Sequence, residues 1–390
     1  MLITASRIHN GYQWLPPGTV IEVADDGSII ALHSEDAPLA DVVHYDGILS
    51  PGFVNAHCHL ELSHMKDLVG EGTGLMHFLQ QVIWKRESFT IEQKITARHE
   101  AYDELLENGV VAVGDIANSA DTLDIRALDR LHIHTFVECL GFTEERAQQM
   151  LDFSEKVYLQ YTAQQSGDKI LRQSIVPHAP YSVSPSLFRL IDAYDKDALI
   201  SIHNEETIEE LNFYKDKSGA VNDLLHSLNI DAAFFEPSGK SPLQTYLPYF
   251  SPSHPFIFVH NTFATAEDLQ FAQDNFPAVY WCLCPNANKY IEGRLPDMDM
   301  LLQHAKNICI GTDSLTSNHQ LCILSELYTI RAQYSGLEWG LLLRWATSSG
   351  AAALQMQDKI GSIEPGKQPG IVQITGLDDN NIRPTPKRIM

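Results

Sequence analysis

The chain has 390 residues, with 50 acidic residues against 27 Lys and Arg, for a net charge of −23. At 44% hydrophobic and 20% charged it is globular in composition and long enough to bury a large core. The acidic balance excludes nonspecific binding to nucleic acid or to an anionic membrane, which needs a positive surface, and no apolar run reaches the roughly 20 residues of a membrane span. The opening MLITASRIHN lacks the features of a secretory signal, so a cytoplasmic location is expected. The six cysteines contain no C-x-x-C pair and read as buried, reduced thiols.

In chain order, residues 1–50 read as short alternating strands, with Asp26-Gly27 supplying a hairpin turn. Next comes ILSPGFVNAHCH, an apolar run ending in His57-Cys58-His59. GEGTG at 70–74 lacks the Lys-Ser/Thr ending of a phosphate loop and reads as a flexible loop, suited to a lid. IEQKITARHEAYDELLENG has helical periodicity and a closing Gly109. The runs GVVAVGDI, HTFVECLGF, SIVPHAP, LISIHNE, FIFVHNT, VYWCLCP and NICIGTD then alternate with amphipathic text. Together these make eight strand candidates, a count and spacing that predict a (β/α)8 TIM-like barrel. GSIEPGKQPGIVQITGL returns to short strands. The expected architecture is therefore α/β, with a barrel over 51–354 inserted into a small β-sandwich domain formed by 1–50 and 355–390.

The chemistry lies at the strand ends. Alternate residues of a strand share a face, so His57 and His59 point one way and Cys58 the other. An H-x-H pair alone is weak among 17 histidines. But His203, His260 and Asp313 also stand where apolar runs meet loops, the edge at which barrel active sites are built. Three imidazoles and a carboxylate suit zinc, and less selectively iron or manganese.

The ordered motifs PGFVNAHCH, VPHAPYSVS, SIHNEE, VHN, CPNANKY and GTDSLTSN resemble the amidohydrolase superfamily, in its deaminase and chlorohydrolase branch. GTDSLTSN and HLELSH are similar to aminodeoxyfutalosine deaminase-like members. The resemblance implies that His57, His59, His203 and Asp313 bind one divalent metal, zinc first, with iron or manganese as alternatives. It implies that His260 lies close to the metal and its water, where it orients or stabilises the developing alkoxide, that Glu206 shuttles protons, and that His178 contacts substrate. Glu205 competes with Glu206, because on a simply alternating strand it would share the face of His203. Further substrate contacts are expected from Glu61, Trp84, Asn288 and Ser314. Glu138 and the aromatics Phe142, Tyr181, Phe213 and Tyr290 are weaker candidates, and Asn286 and Asn318 read equally well as caps or turn residues.

Three features depart from the family pattern. Lys367-Gln368-Pro369-Gly370 lacks the usual tail aspartate, and Ala287 stands where Ser often precedes Asn288. The leader typical of thiomethyladenosine or S-adenosylhomocysteine deaminases is absent after His59. The expected activity is hydrolytic deamination of an aminated small heterocycle by a metal-activated water, in a chain for which the resemblance allows a homodimer without fixing the oligomeric state. The alternatives are chloride displacement, opening of a cyclic amide, and a catalytically silent metal-binding protein.

Overall fold

A computed structural model describes residues 1–165, 167–377 and 383–390, so residues 378–382 of the expected terminal domain lie outside it. Four strands open the chain: β1 (Leu2–Ile8), β2 (Val20–Val23), β3 (Ile29–His33) and β4 (Val42–Pro51). They join β13 (Ile371–Thr375) and β14 (Thr385–Arg388) in one six-stranded sheet of order β14-β13-β4-β1-β2-β3. The turn expected at Asp26-Gly27 joins β2 to β3, with Gly27 at φ 83°. Ile3, Ile8, Ile21, Leu49 and Ile371 pack into the core of this sheet. Among the described residues the terminal strands pair in this single sheet, where the sequence predicts a two-layered sandwich.

Between the ends lie two parallel four-stranded sheets. One runs β5-β6-β7-β8 (Phe53–Cys58, Val110–Ala117, His132–Cys139, Leu171–Pro177). The other runs β9-β10-β11-β12 (Ile200–Asn204, Phe256–His260, Val279–Leu283, Ile308–Ile310). Every residue of β5, β6 and β7 is buried, as expected of parallel strands covered on both faces, and this is why these runs read as nearly continuous apolar text. Helices occupy the connections. The one at Ile91–Glu107 begins with a capping box, Thr90 with Gln93, and the chain leaves it through Gly109 at φ 80°.

Backbone hydrogen bonds join the two sheets at both seams. The N–H of His203 donates to the carbonyl of His178 (3.0 Å), and those of Thr312 and Asp313 donate to the carbonyl of His57 (3.0 and 3.1 Å). Gly311 makes the second seam possible: a Cβ there would stand 2.8 Å from the His57 carbonyl oxygen. Gly52 does the same where the chain leaves the terminal sheet for β5, since a Cβ would lie 2.2 Å from the Val111 side chain. No helix among the described residues is long and apolar enough to cross a membrane.

Candidate active site

His57 is the penultimate residue of β5, His59 follows that strand, His203 lies in β9, and Asp313 sits three residues beyond β12. All four side chains are buried, and one ligand atom from each lies within 4.8 Å of the others. His59 Nε2 stands 3.1 Å from His57 Nε2 and 3.3 Å from His203 Nε2. Asp313 Oδ1 lies 3.5 Å from the His57 ring nitrogen and 3.3 Å from that of His59. The His203 Nδ1–H is committed to the His178 carbonyl at 2.8 Å, so its Nε2 carries a lone pair. Burial holds all three imidazoles below their ordinary range, His59 at about 3, so they are neutral at pH 7. Burial pushes the Asp313 carboxyl upward, but His57, His59 and His260 outweigh it and keep it ionised. Converging lone pairs beside an ionised carboxylate repel one another unless a cation lies between them. The residues present therefore fit one divalent metal.

Around this quartet the backbone is unusual. Glu205, His260, Asn261 and Asp313 have φ of 47°, 73°, 56° and 58°, in the left-handed region that non-glycine residues rarely adopt. The left-handed turn at Glu205 breaks the strand alternation just after β9. As a result Glu206, not Glu205, lines the cavity above the quartet. The Glu206 carboxylate is 3.6 Å from His260 Nε2. Glu205 is buried elsewhere, with Asp268, Glu210 and Ser241 acting on its carboxyl. The Glu210 carboxylate holds the turn by accepting the N–H groups of Glu205 and Glu206, each at 3.3 Å. Burial first, then Asp313 and Glu292, pushes the Glu206 carboxyl far above its ordinary value, which favours its protonated form.

His260 is held by Asn288. The Asn288 amide donates to Thr262 Oγ1 (2.7 Å), so its carbonyl oxygen faces His260 and accepts the Nδ1–H at 2.9 Å. His260 Nε2 is thereby left to face Glu206. Asp313 is tied in a similar way, with Ser317 Oγ donating to its Oδ2 at 2.5 Å.

The cavity measures about 800 Å³. His59, His178, His203, Glu206, His260, Asp313 and Ser314 line its floor. Glu138, Tyr181 and Phe142 also reach it, whereas Phe213 and Tyr290 are not among its lining residues. His178 is tethered through Nδ1 to Ser182 Oγ at 2.8 Å, and burial lowers it to about 4. Three expected substrate contacts lie elsewhere. Glu61 stands behind the wall, accepting the backbone and side-chain N–H groups of Asn118 at 2.9 and 3.0 Å. Trp84 is 57% exposed on the outer face of the helix Leu75–Lys85, while Leu75, Phe78, Leu79 and Val82 of that helix face the cavity. Asn288 acts on His260 and is not a lining residue.

Several contributors escaped the sequence reading. Asn118 follows directly on the apolar run of β6, and its amide also donates to Glu138 Oε2 at 2.9 Å. Ser317, four residues after Asp313, stands inside GTDSLTSN and was visible there as a hydroxyl near a ligand. The wall made by Leu224, Leu225, Leu228, Ile230 and Phe234 comes from a segment with no motif at all. The predicted lid at 70–74 is pinned by Gly72 and Gly74 N–H groups to the carbonyls of Tyr290 and Ile291, at 2.7 and 3.1 Å.

Comparison with known proteins accords with this geometry. The Amidohydrolase family model matches residues 48–386. The chain belongs to the Amidohydrolase family. An adenosine deaminase of Helicobacter pylori is 27% identical to it over 328 residues, covering 83% of this chain and 78% of that one. A 5-methylthioadenosine/S-adenosylhomocysteine deaminase of Halalkalibacterium halodurans is 24% identical over 393 residues, covering 95% and 81%. The crystal structure of Helicobacter pylori aminofutalosine deaminase in complex with methylthio-coformycin has the same fold. Its TM-score is 0.78 at 24% identity, covering 96% of this chain and 91% of that one.

Proposed function

We propose that this family member is a metal-dependent aminohydrolase that replaces the exocyclic amino group of an aminated heterocycle by oxygen and releases ammonia. Within that class we assign it a 6-aminopurine nucleoside whose sugar carries an apolar arm. The observation that carries the reading is the placement of Glu206, His260 and Asp313 on one cavity floor beside a metal-ready quartet. Relatives named for adenosine and methylthioadenosine support the purine. The apolar wall of Phe78, Val82, Phe142, Leu225, Leu228 and Phe234 supports the arm, because a cavity of about 800 Å³ exceeds what a bare nucleoside fills.

His57, His59, His203 and Asp313 hold the metal, for which three nitrogens and one oxygen favour zinc. When bound, such an ion lowers the pKa of water from about 15.7 to about 7 and so provides a nucleophile at neutral pH. Glu206, protonated and 3.6 Å from His260 Nε2, donates to the ring nitrogen next to the amino-bearing carbon. Asp313 accepts the proton of the attacking water and passes it to the exocyclic nitrogen, which leaves as ammonia. The remaining hydroxyl proton of the tetrahedral centre returns to the Glu206 carboxylate as the ring carbonyl forms. His260, its Nδ1–H held by Asn288, presents the Nε2 lone pair to the attacking water and orients it. His178 and Ser314 face the substrate from the cavity floor.

The seam hydrogen bonds support closure of the two four-stranded sheets into one (β/α)8 barrel over 51–354. The pairing of β4 with β13 supports a small domain built from 1–50 and 355–390. Six buried, unpaired cysteines support a reducing, cytoplasmic setting. The test is ammonia release from a panel of adenosine derivatives, free bases, aminopyrimidines and aminotriazines. The reading expects release from the adenosine derivatives, abolished by Asp313→Asn. Chloride release or ring opening with no ammonia would contradict it.

A further inference from the structure

Glu326 is absent from every motif of the sequence reading, yet it is fully buried on the helix Ile323–Gln333. Its carboxylate accepts three N–H groups from two other segments, each at 2.8 Å. Oε2 takes the backbone N–H of Asn286, and Oε1 takes the side-chain amides of Asn286 and Asn318.

Both segments lead to the active site. Asn286 lies in the first turn of the helix Pro285–Glu292, two residues before Asn288, whose carbonyl oxygen fixes His260. Asn318 closes the loop that begins at Asp313, and its amide also donates to the carbonyl of Thr312 at 2.9 Å. That bond grips the backbone immediately before Asp313, at the point where its φ of 58° must be maintained. Thr329, one turn further along the same helix, donates to Asn286 Oδ1 at 2.5 Å and fixes that amide's orientation.

We infer that Glu326 is a positioning residue for the reaction: its carboxylate sets the Asp313 loop and the helix bearing Asn288 in register, so that Asp313 and His260 face the same reacting atoms. The geometry suits the task, because one buried group holds together, beyond the ends of the paired strands β11 and β12, the two segments that continue from them. A carboxylate accepts from all three donors at once, whereas an amide accepts through one atom and turns its own N–H groups toward another donor. Glu326→Gln therefore keeps the volume and breaks the bracket. A displacement of about 1 Å at reacting groups costs up to about 100-fold in rate.

This inference rests on the deaminase reading for its kinetic arm, so the experiment includes an arm independent of turnover. Glu326→Gln and Asn318→Ala are each compared with wild type in kcat, KM, thermal midpoint and the visible absorption of the cobalt-substituted protein. The inference expects kcat to fall at least about tenfold with KM held within about threefold, in folded protein with shifted cobalt bands. Restoration of most of the kcat by an Asn286→Asp change in the Glu326→Gln background would confirm the carboxylate–amide pairing. Unchanged kcat and cobalt bands in Asn318→Ala would overturn the inference, as would a kcat loss in Glu326→Gln that only tracks the folded fraction. If the wild type releases no ammonia, the deaminase reading fails, and the cobalt bands alone decide the role of Glu326 at Asp313.

Discussion

His260 Nδ1 lies 2.9 Å from the carbonyl oxygen of Asn288, and this contact decides which nitrogen of the imidazole faces Glu206. The Asn288 amide is occupied by Thr262, so the pair has one arrangement. Replacing Asn288 by Asp keeps an acceptor for Nδ1–H but favours a charged imidazole. Replacing it by Ala frees both tautomers. Asn288→Ala is expected to lower kcat about tenfold or more with little change in KM, checked by steady-state kinetics. Equal loss of binding and rate would move Asn288 to a substrate-contact role.

Glu206 and Glu205 are adjacent in sequence and separated in space. Glu206→Gln is expected to lower kcat by at least about 100-fold, the ordinary size of an acid-base contribution, while Glu205→Gln changes it little. The check is turnover of both variants at matched folded fraction.

The pH dependence follows from the raised Glu206 carboxyl. The acid form must be present for it to protonate the ring, and that form is complete below its folded pKa and lost above it. The kcat profile should therefore fall on the alkaline side. The limb should vanish in the residual activity of Glu206→Gln, measured by ammonia release across the pH range. A limb unchanged in the variant would assign the titration to another group.

Metal retention depends on the close approach of Gly311 to His57. A methyl at Gly311 meets the His57 carbonyl and presses apart the two strand ends that bear ligands. Gly311→Ala is expected to weaken metal affinity by about 10–100-fold, read by competition with a chelator. His203→Ala should abolish stoichiometric metal altogether, read by elemental analysis.

Much of this site was legible because parallel strands buried on both faces leave an apolar run that stops abruptly at a polar residue. His57, His203, His260 and Asp313 each stand at such a stop. The face that Glu205 and Glu206 present was not legible, since it depends on the sign of one φ angle, which the Glu210 carboxylate holds. Trp84 misleads for a related reason. Helical spacing places Leu75, Phe78, Leu79 and Val82 toward the cavity and leaves the indole on the opposite side. The apolar wall at 224–234 is contributed by residues far from every motif, so only the folded chain brings it over His178. Strand pairing at the termini was likewise a matter of long-range register, and alternation alone does not fix whether two ends make one sheet or two.

The most direct test of hydrolytic deamination is to run the zinc-loaded protein on an adenosine derivative bearing an apolar sugar arm in oxygen-18 water. One heavy oxygen in each product ring and one ammonia per turnover, both absent with Asp313→Asn, is the predicted result. Product without the heavy oxygen, or no turnover by protein carrying stoichiometric metal, would contradict the account.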